Sequence, residues 1–340
     1  MDGQICNRKG IKQERIMLIY DEKKYKIPTL DDEMVATIER QYGVKVLFAG
    51  SFGTCVYGIN NRFSDVDFKC ICDSRENPHW RHYDKETMTD IWALDIVYAK
   101  EQGKRYLKQV RQFPSVLYRD KGEKVDAYDI IRDDFCIQIF LEILYSDYIW
   151  DSGYLKDHYE KLLKETSLLS SVDYYYSRAY GHRHNHLEID TVNARYVLMC
   201  FVNVCICKWL VKNGSVPYVD CRSLIEYYAP REFKDWLVAA LCAQKAITLQ
   251  SRSSLGDIHT NIERFGTEDL FAVSVEKLRK DGEPQESKPK VYVENCPKFL
   301  AWIDKQLEKL AYVMNQIPLD RGIVLGENSL YARAITGKAQ

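Results

Sequence analysis

The chain has 340 residues, of which 46% are hydrophobic and 29% are charged, and its formal net charge is −1. This length and composition predict a globular protein with room for two domains, each with its own core. The near-neutral charge excludes a protein held on nucleic acid or on an anionic membrane by overall charge, so a polyanion site would have to be a local basic patch.

The first 125 residues predict a mixed α and β domain. Its expected elements, in chain order, are two strands within 16–28, an amphipathic helix over 30–42, strands over 44–50 and 64–72, an apolar strand over 90–99 and a helix over 101–113. The first strand after the helix ends at Gly50, and residues 51–57 predict a short helix entered directly from that strand.

From residue 126 onward nearly every pattern predicts helix. The helical patterns cover 133–145, 155–169, 172–187, 191–213, 231–249 and 296–317. Gly214 predicts the end of one of these helices, and the charged, proline-containing stretch 279–290 predicts a linker. The predicted fold class is therefore α+β, with a domain over 1–125 followed by an all-helical domain over 126–340.

Cysteine usage and hydropathy bear on the compartment. The 11 cysteines are an odd number scattered through apolar stretches, which predicts reduced, buried thiols in a cytoplasmic protein rather than a disulfide framework. The most apolar run, residues 196–211, contains Asn203 and Lys208 and falls short of the ~20 residues of a membrane span. We expect a buried helix there and no membrane contact.

Two aspartates one residue apart are the first sign of chemistry. Asp65 and Asp67 lie on a predicted strand. Residues two apart on a strand point to the same face, with their Cα atoms roughly 7 Å apart. Two neighbouring carboxylates suit Mg²⁺ or Mn²⁺, although such a pair can also be a solvated strand end. Asp95, placed inside an apolar strand, is the expected third ligand, because a buried carboxylate is costly without a cation. Asp90, at the edge of that strand, is the competitor for this role and is interpreted as a surface residue.

Gly50 and Ser51 predict a second feature, a corner at the end of a strand. Glycine lets a phosphate approach the backbone, and the serine hydroxyl together with N–H groups at a helix start can bind it. The alternative is an ordinary turn.

The order of these residues is more specific than any one of them. Gly50-Ser51, Gly58, the run Ser64-Asp65-Val66-Asp67 and a later apolar strand with Asp95 together resemble the nucleotidyltransferase superfamily of DNA polymerase beta. The stretch GSFGTCVYGINNRFSDVDF is more closely similar to the YcgL-like predicted nucleotidyltransferases of bacteria and phages. The segment LEILYS at 141–146 and the helical stretches up to about 230 are similar as well, so the resemblance covers roughly residues 45–230.

The resemblance implies a polymerase-beta-type domain whose cleft the helical domain completes. It implies transfer of a nucleoside monophosphate from a nucleoside triphosphate to an acceptor hydroxyl on RNA, a protein or a small molecule, with two Mg²⁺ or Mn²⁺ ions held by Asp65, Asp67 and Asp95. Gly50 and Ser51 would hold the β- and γ-phosphates. Candidates for neutralising their charge are Lys69, Lys104 and Arg178.

Two other functions remain open on the sequence. One is a toxin–antitoxin or defence component that acts mainly by binding and nucleotidylating a partner protein, and the other is a nucleotide-binding scaffold without turnover.

The stretch GHRHNH at 181–186 also has several interpretations. His182 and His186 have the i, i+4 spacing of a helical metal site, but they could equally contact a nucleotide or another polyanion, or lie on a solvated surface. A base-stacking role for one of the tyrosines at 174–176 is open too.

Overall fold

A computed structural model of the chain describes the part from residue 30 to residue 325, with gaps. The described residues are 30–61, 64, 66–74, 78–84, 89–102, 104, 138–144, 146, 149–217, 219–245, 271–274, 290–318 and 320–325. The strand predictions within 16–28, Asp65 and most of the predicted linker lie outside them.

A five-stranded mixed sheet positions the candidate site. Its strands are β1 (Lys45–Phe52), β2 (Val66–Asp73), β3 (His79–Asp84), β4 (Thr89–Asp95) and β5 (Ile149–Asp151), in the order β3-β4-β2-β1-β5. β1 pairs antiparallel with β2 and β5, and β3 pairs antiparallel with β4, whereas β2 and β4 are parallel. The parallel pair in the middle of the sheet brings the same ends of β2 and β4 together.

Helices occupy most of the remaining described chain. They are α1 (Asp32–Tyr42), α2 (Gln138–Leu144), α3 (Tyr154–Glu165), α4 (Leu168–His186), α5 (Ala194–Asn213), α6 (Cys221–Tyr228), α7 (Arg231–Lys245) and α8 (Pro297–Met314). Residues 96–102 are also helical. A second sheet contains β6 (Thr191–Asn193), β7 (Phe271–Ser274) and β8 (Lys290–Glu294), antiparallel in the order β6-β8-β7.

Local sequence explains where α1 and α5 begin and end. The Asp31 side chain accepts a hydrogen bond from the backbone N–H of Met34, and Gly43 ends α1 in the left-handed conformation. Asn193 caps α5 in the same way, and the predicted stop at Gly214 is confirmed, with φ of 61°.

The five-stranded sheet has a hydrophobic cluster on each face. On one face, Val35 and Ile38 of α1 pack with Phe68 and Cys70 of β2 and with Ile91 of β4. On the other, Ile71 and Leu94 belong to the larger core that includes α2, α3, α4 and α5. Alternation along each strand therefore decides whether a side chain faces α1 or the helical core.

Three sequence predictions need correction here. Residues 51–57 are not a helix, because β1 continues to Phe52 and residues 53–58 form turns, one of them closed by the Tyr57 N–H to Gly53 oxygen bond of 3.2 Å. The apolar strand of 90–99 ends at Asp95, where helical residues follow. The half after residue 126 is not all-helical, since it contributes β5 to the first sheet and all of the second. The strand propensity of such short segments is weak, and long-range pairing decides them.

The prediction of a buried helix within residues 191–213 is confirmed. Among the described residues α5 is the one helix long and apolar enough to cross a membrane, but 72% of its most apolar window is buried. It packs against α4, α7 and α8, as the central helix of a protein core does.

Candidate functional site

The register of the parallel pair places two carboxylates opposite each other. Asp67 of β2 is the direct partner of Asp90 of β4. Directly opposed residues of neighbouring strands point to the same face and are about 4.8 Å apart at Cα. Asp90 is buried. The interpretation of Asp90 as a surface residue is therefore wrong.

Asp95 lies elsewhere on the sheet. Its partner on β2 is Cys72, five residues beyond Asp67, or ~16 Å along the strand. Five is also an odd number, so Asp95 points to the opposite face from Asp90. The structure thus separates Asp95 from the expected carboxylate group.

Asp95 instead has a clear structural role. Its carboxylate accepts backbone N–H bonds from Val97 at 2.8 Å and Tyr98 at 2.9 Å, and from Ser74 at 2.9 Å. These bonds cap the helical residues that follow β4 and tie them to the end of β2. This accounts for a buried carboxylate without a metal ion.

A cation from the same chain sits on Asp90. The Arg81 guanidinium donates two hydrogen bonds to the carboxylate, at 2.8 and 2.5 Å, and its Cζ lies 4.4 Å from the centroid of the Trp92 ring. The Arg81 side chain is 54% exposed, whereas that of Asp90 is 6% exposed. The buried Asp90 carboxylate is therefore compensated by a cation whose own side chain is half exposed to solvent.

The turn after β1 passes close to Asp67. Gly53 has φ of 69°, and a Cβ at this position would lie 3.1 Å from the Asp67 Oδ2 atom. Glycine is needed there for the backbone conformation, and its lack of a Cβ avoids a close contact with the carboxylate. Together with Phe52, the β1 partner of Asp67, this turn forms one wall of the site.

The Gly50-Ser51 pair lies inside β1 rather than at a helix start. A Cβ at Gly50 would lie 3.0 Å from Ile143 Cγ2 and 3.2 Å from Ser146 Cβ. The Ser51 hydroxyl is buried and shares a hydrogen bond of 2.7 Å with the Ser146 hydroxyl. Close packing against α2 and the segment after it therefore explains why a glycine and a small hydroxyl residue occupy these two positions.

Two of the predicted phosphate-binding cations meet on one buried carboxylate. Glu142 of α2 forms ion pairs with Lys69 and with Arg178, the latter at 3.1 Å, and it accepts a hydrogen bond from the Tyr174 hydroxyl at 3.2 Å. Lys69 lies two residues from Asp67 on the same face of β2. Lys104, the third candidate, is exposed and is not joined to this network among the described residues.

Two histidines of the run GHRHNH follow Arg178 along the same face of α4. His182 is one turn beyond Arg178 and His186 one turn beyond that. The His182 ring is buried, and burial together with nearby Arg178, His186 and Arg195 lowers its pKa to about 3. Burial also lowers the pKa of His186. His182 is therefore neutral near pH 7, within a cationic environment.

A metal site of three ligands is not complete within the described residues. No group of three or more His, Cys, Asp or Glu side chains is placed to hold a metal ion there, and Asp65 lies outside them. Asp67 and Asp90 nevertheless supply the oxygen donors that Mg²⁺ and Mn²⁺ prefer. In the structure the Asp90 carboxylate is paired with the Arg81 guanidinium, which a metal ion bound there would have to displace.

The described cysteines take no part in this site. The nine in that part of the chain are free thiols, seven of them buried. Burial raises the pKa of the Cys72 thiol to about 12, and burial likewise raises the pKa of the Cys200 and Cys221 thiols. These groups are poor nucleophiles and poor metal ligands near pH 7.

The sequence prediction grouped Asp95 with Asp67, whereas the structure places Asp90 beside Asp67, and it missed two partners of the predicted site residues. Side chains on a strand alternate between its two faces, so Asp90, Trp92 and Leu94 share one face and Asp95 lies on the other. This alternation could have been used to separate Asp90 from Asp95. Glu142 and Ser146 both lie in the LEILYS segment, where only the resemblance marked them.

No protein-family model matches the chain, and no curated protein matches it.

Proposed function

We propose that this chain is a metal-dependent nucleotidyltransferase with a polymerase-beta-type catalytic domain. It transfers a nucleoside monophosphate from a nucleoside triphosphate to an acceptor hydroxyl and releases pyrophosphate. The observation that carries the proposal is the direct pairing of Asp67 with Asp90 on one face of the sheet, beside the buried network of Lys69, Glu142 and Arg178. The motif order around Asp65 supports it.

Asp65, Asp67 and Asp90 are the proposed ligands of Mg²⁺ or Mn²⁺. When bound, such ions neutralise the charge that develops on the phosphoryl oxygens during an in-line displacement. Asp90 replaces Asp95 in this set, because Asp95 is on the other face and already binds three backbone N–H groups.

The chain's own groups orient the reactants. The acceptor oxygen forms a bond to the α-phosphorus while the bond from that phosphorus to the bridging oxygen of pyrophosphate breaks, and the acceptor proton passes to the Asp90 carboxylate. The proposed position of the phosphate oxygens is beside Asp67, where Gly53 presents no side chain to the carboxylate. Lys69 and Arg178 place positive charge next to the site, with Glu142 holding both side chains in position.

A labelling experiment tests the reaction. The purified chain is incubated with each α-labelled nucleoside triphosphate, Mg²⁺ or Mn²⁺ and a cell extract, and the labelled product is identified. We expect label in one class of acceptor, and no label with Asp67→Asn. The control is Asp73→Asn, an exposed aspartate at the far end of the same strand, which should retain full labelling.

Calorimetry separates a transferase from a nucleotide-binding scaffold. Titration with Mn²⁺ and a non-hydrolysable triphosphate should show metal-dependent binding that Asp67→Asn largely removes. Binding without any labelled product would support the scaffold, and equal binding by Asp67→Asn would refute the metal site.

A further inference from the structure

A cluster on α4 and α5 lies next to the proposed catalytic site and contains two arginines, one of which, Arg178, pairs with Glu142. It consists of Arg178, His182 and His186 on α4 and Arg195 and Tyr196 in the first turn of α5. The His186 ring stacks on Tyr196 with centroids 3.9 Å apart, and the His182 ring centroid lies 5.6 Å from that of Tyr196. The two helices therefore bring these side chains into one group.

His182 is unusual within this cluster. Its side chain is buried, and neither ring nitrogen has a hydrogen-bond partner in the described part of the chain. A buried nitrogen without a partner carries a desolvation cost, so such groups are rare in folded proteins. The ring offers an N–H donor for which the described residues provide no acceptor.

The electrostatic surroundings favour an anion. The charged groups that act on His182 are Arg178, His186 and Arg195, and each disfavours a proton on its ring. The positive end of the α5 backbone dipole adds to them. Glu142 is the carboxylate on Arg178, and it is shared with Lys69. The positive charges of the cluster thus exceed the negative ones.

The rim of the cluster is open to solvent. Arg195 is exposed, and His186 and Arg178 are partly exposed. An anion can therefore approach the cluster from solvent on the side of these three residues. Arg178 joins this rim to the Lys69 and Glu142 network beside Asp67.

We propose that Arg178, His182, His186 and Arg195 form a subsite for a phosphate group. The His182 N–H donates to a phosphate oxygen, and the two arginines neutralise its charge. The phosphate belongs either to the pyrophosphate portion of the donor nucleotide or to the acceptor. The assignment to substrate rests on the proposed function, whereas the binding of phosphate does not.

Titration of the full chain with inorganic pyrophosphate in the presence of EDTA tests the subsite. We expect binding that weakens with added salt, and a loss of about tenfold or more in affinity for His182→Phe. The same variant removes two unpartnered buried nitrogens, so its melting temperature should stay equal or rise. Unchanged pyrophosphate affinity in His182→Phe would overturn the proposal.

Arg195→Gln provides a second variant that cannot fail by misfolding, since this side chain is exposed. It should also weaken pyrophosphate binding and reduce the salt dependence, and full affinity in this variant would count against the subsite. The matched control is His184→Gln on the same helix, where His184 pairs with Glu188 instead. It should bind pyrophosphate as the unaltered chain does.

Two further measurements complete the test. The first separates this proposal from the proposed function, and the second identifies the source of the phosphate. Asp67→Asn should bind metal-free pyrophosphate normally, even if no transfer activity is ever found. If a nucleoside triphosphate with Mg²⁺ displaces pyrophosphate, the subsite serves the donor nucleotide. If both bind together, it serves a phosphate of the acceptor.

Discussion

Asp90 and Asp95 are chemically identical, but their positions on β4 predict opposite effects of mutation. Asp90→Asn should abolish nucleotidyl transfer while leaving the melting temperature nearly unchanged, because the variant keeps the shape of the side chain and its Arg81 partner is half exposed. Asp95→Ala should retain transfer but lose about 1–2 kcal/mol of unfolding free energy, since it removes a helix cap.

Both variants need transfer rates and denaturant unfolding curves measured side by side. The assignment of Asp90 is wrong if Asp90→Asn keeps full transfer while Asp95→Ala, measured at a temperature where it is fully folded, loses it. Asp95 would then be the third metal ligand.

The lowered pKa of His182 predicts that the free energy of unfolding depends on pH. Its folded pKa is about 3, whereas an unfolded histidine titrates near 6.5. Between these values the unfolded chain binds a proton that the folded chain does not, so the free energy of unfolding falls as the pH falls from about 6.5 towards 3. The slope from this group approaches about 1.4 kcal/mol per pH unit.

Urea unfolding at pH 7.5, 6.0 and 5.0 measures this slope. His182→Phe should unfold with a shallower pH dependence than the unaltered chain, and the two should differ by a constant amount above pH 7. Parallel curves over the whole range would show that folding does not change the pKa of His182.

At the scale of elements, the contact between β1 and α2 depends on Gly50. Gly50→Ala places a methyl group 3.0 Å from Ile143 Cγ2 and 3.2 Å from the Ile143 carbonyl oxygen. We expect a loss of about 1–3 kcal/mol in thermal or denaturant unfolding, as for other overpacked cores. Ser51→Ala, which loses only the bond to Ser146, should cost about 0.5–1.5 kcal/mol. If Gly50→Ala instead keeps its stability and loses nucleotide affinity, the phosphate-corner interpretation is correct.

Glu142 couples α2 to β2 and α4 through buried charge. The Lys69 and Glu142 side chains are 9% and 3% exposed. Glu142→Gln should cost about 3–5 kcal/mol, because it leaves a buried ammonium without its carboxylate. Adding Lys69→Met should restore part of that loss. A double-mutant cycle in denaturant gives the coupling energy, and simple additivity would argue against a coupled pair.

The elements that the sequence predicted correctly are those with local determinants. α1 has its cap at Asp31 and its stop at Gly43, and β2 has a clear alternation. β3, β6 and β8 are short or flanked by polar residues, so only pairing across the sheet defines them. The partner of Asp67 depends on which strand β2 pairs with and in what register, and that information is not local.

For the whole molecule, the pairing of β5 with β1 predicts that the two halves do not separate cleanly. β5 and α2 follow residue 126, yet α2 supplies the buried residues Leu141, Ile143 and Leu144 beside the first sheet. A fragment of residues 1–125 lacks these contacts. We therefore expect it to unfold without a cooperative transition by calorimetry, unlike the full chain. A dispersed amide spectrum for this fragment would contradict the expectation.

The edge of the first sheet gives the Arg81–Asp90 pair a further consequence, for solubility. β3 is the outermost of the described strands at one side of the first sheet, and it carries exposed Arg81 and Tyr83. Outer strands offer unpaired backbone groups to other chains, and charge along such a strand opposes self-association. While Arg81 pairs with Asp90, part of that protective charge is neutralised. A divalent ion that takes Asp90 would release the guanidinium to the edge, so the metal-loaded chain would resist strand-to-strand aggregation better than the metal-free chain.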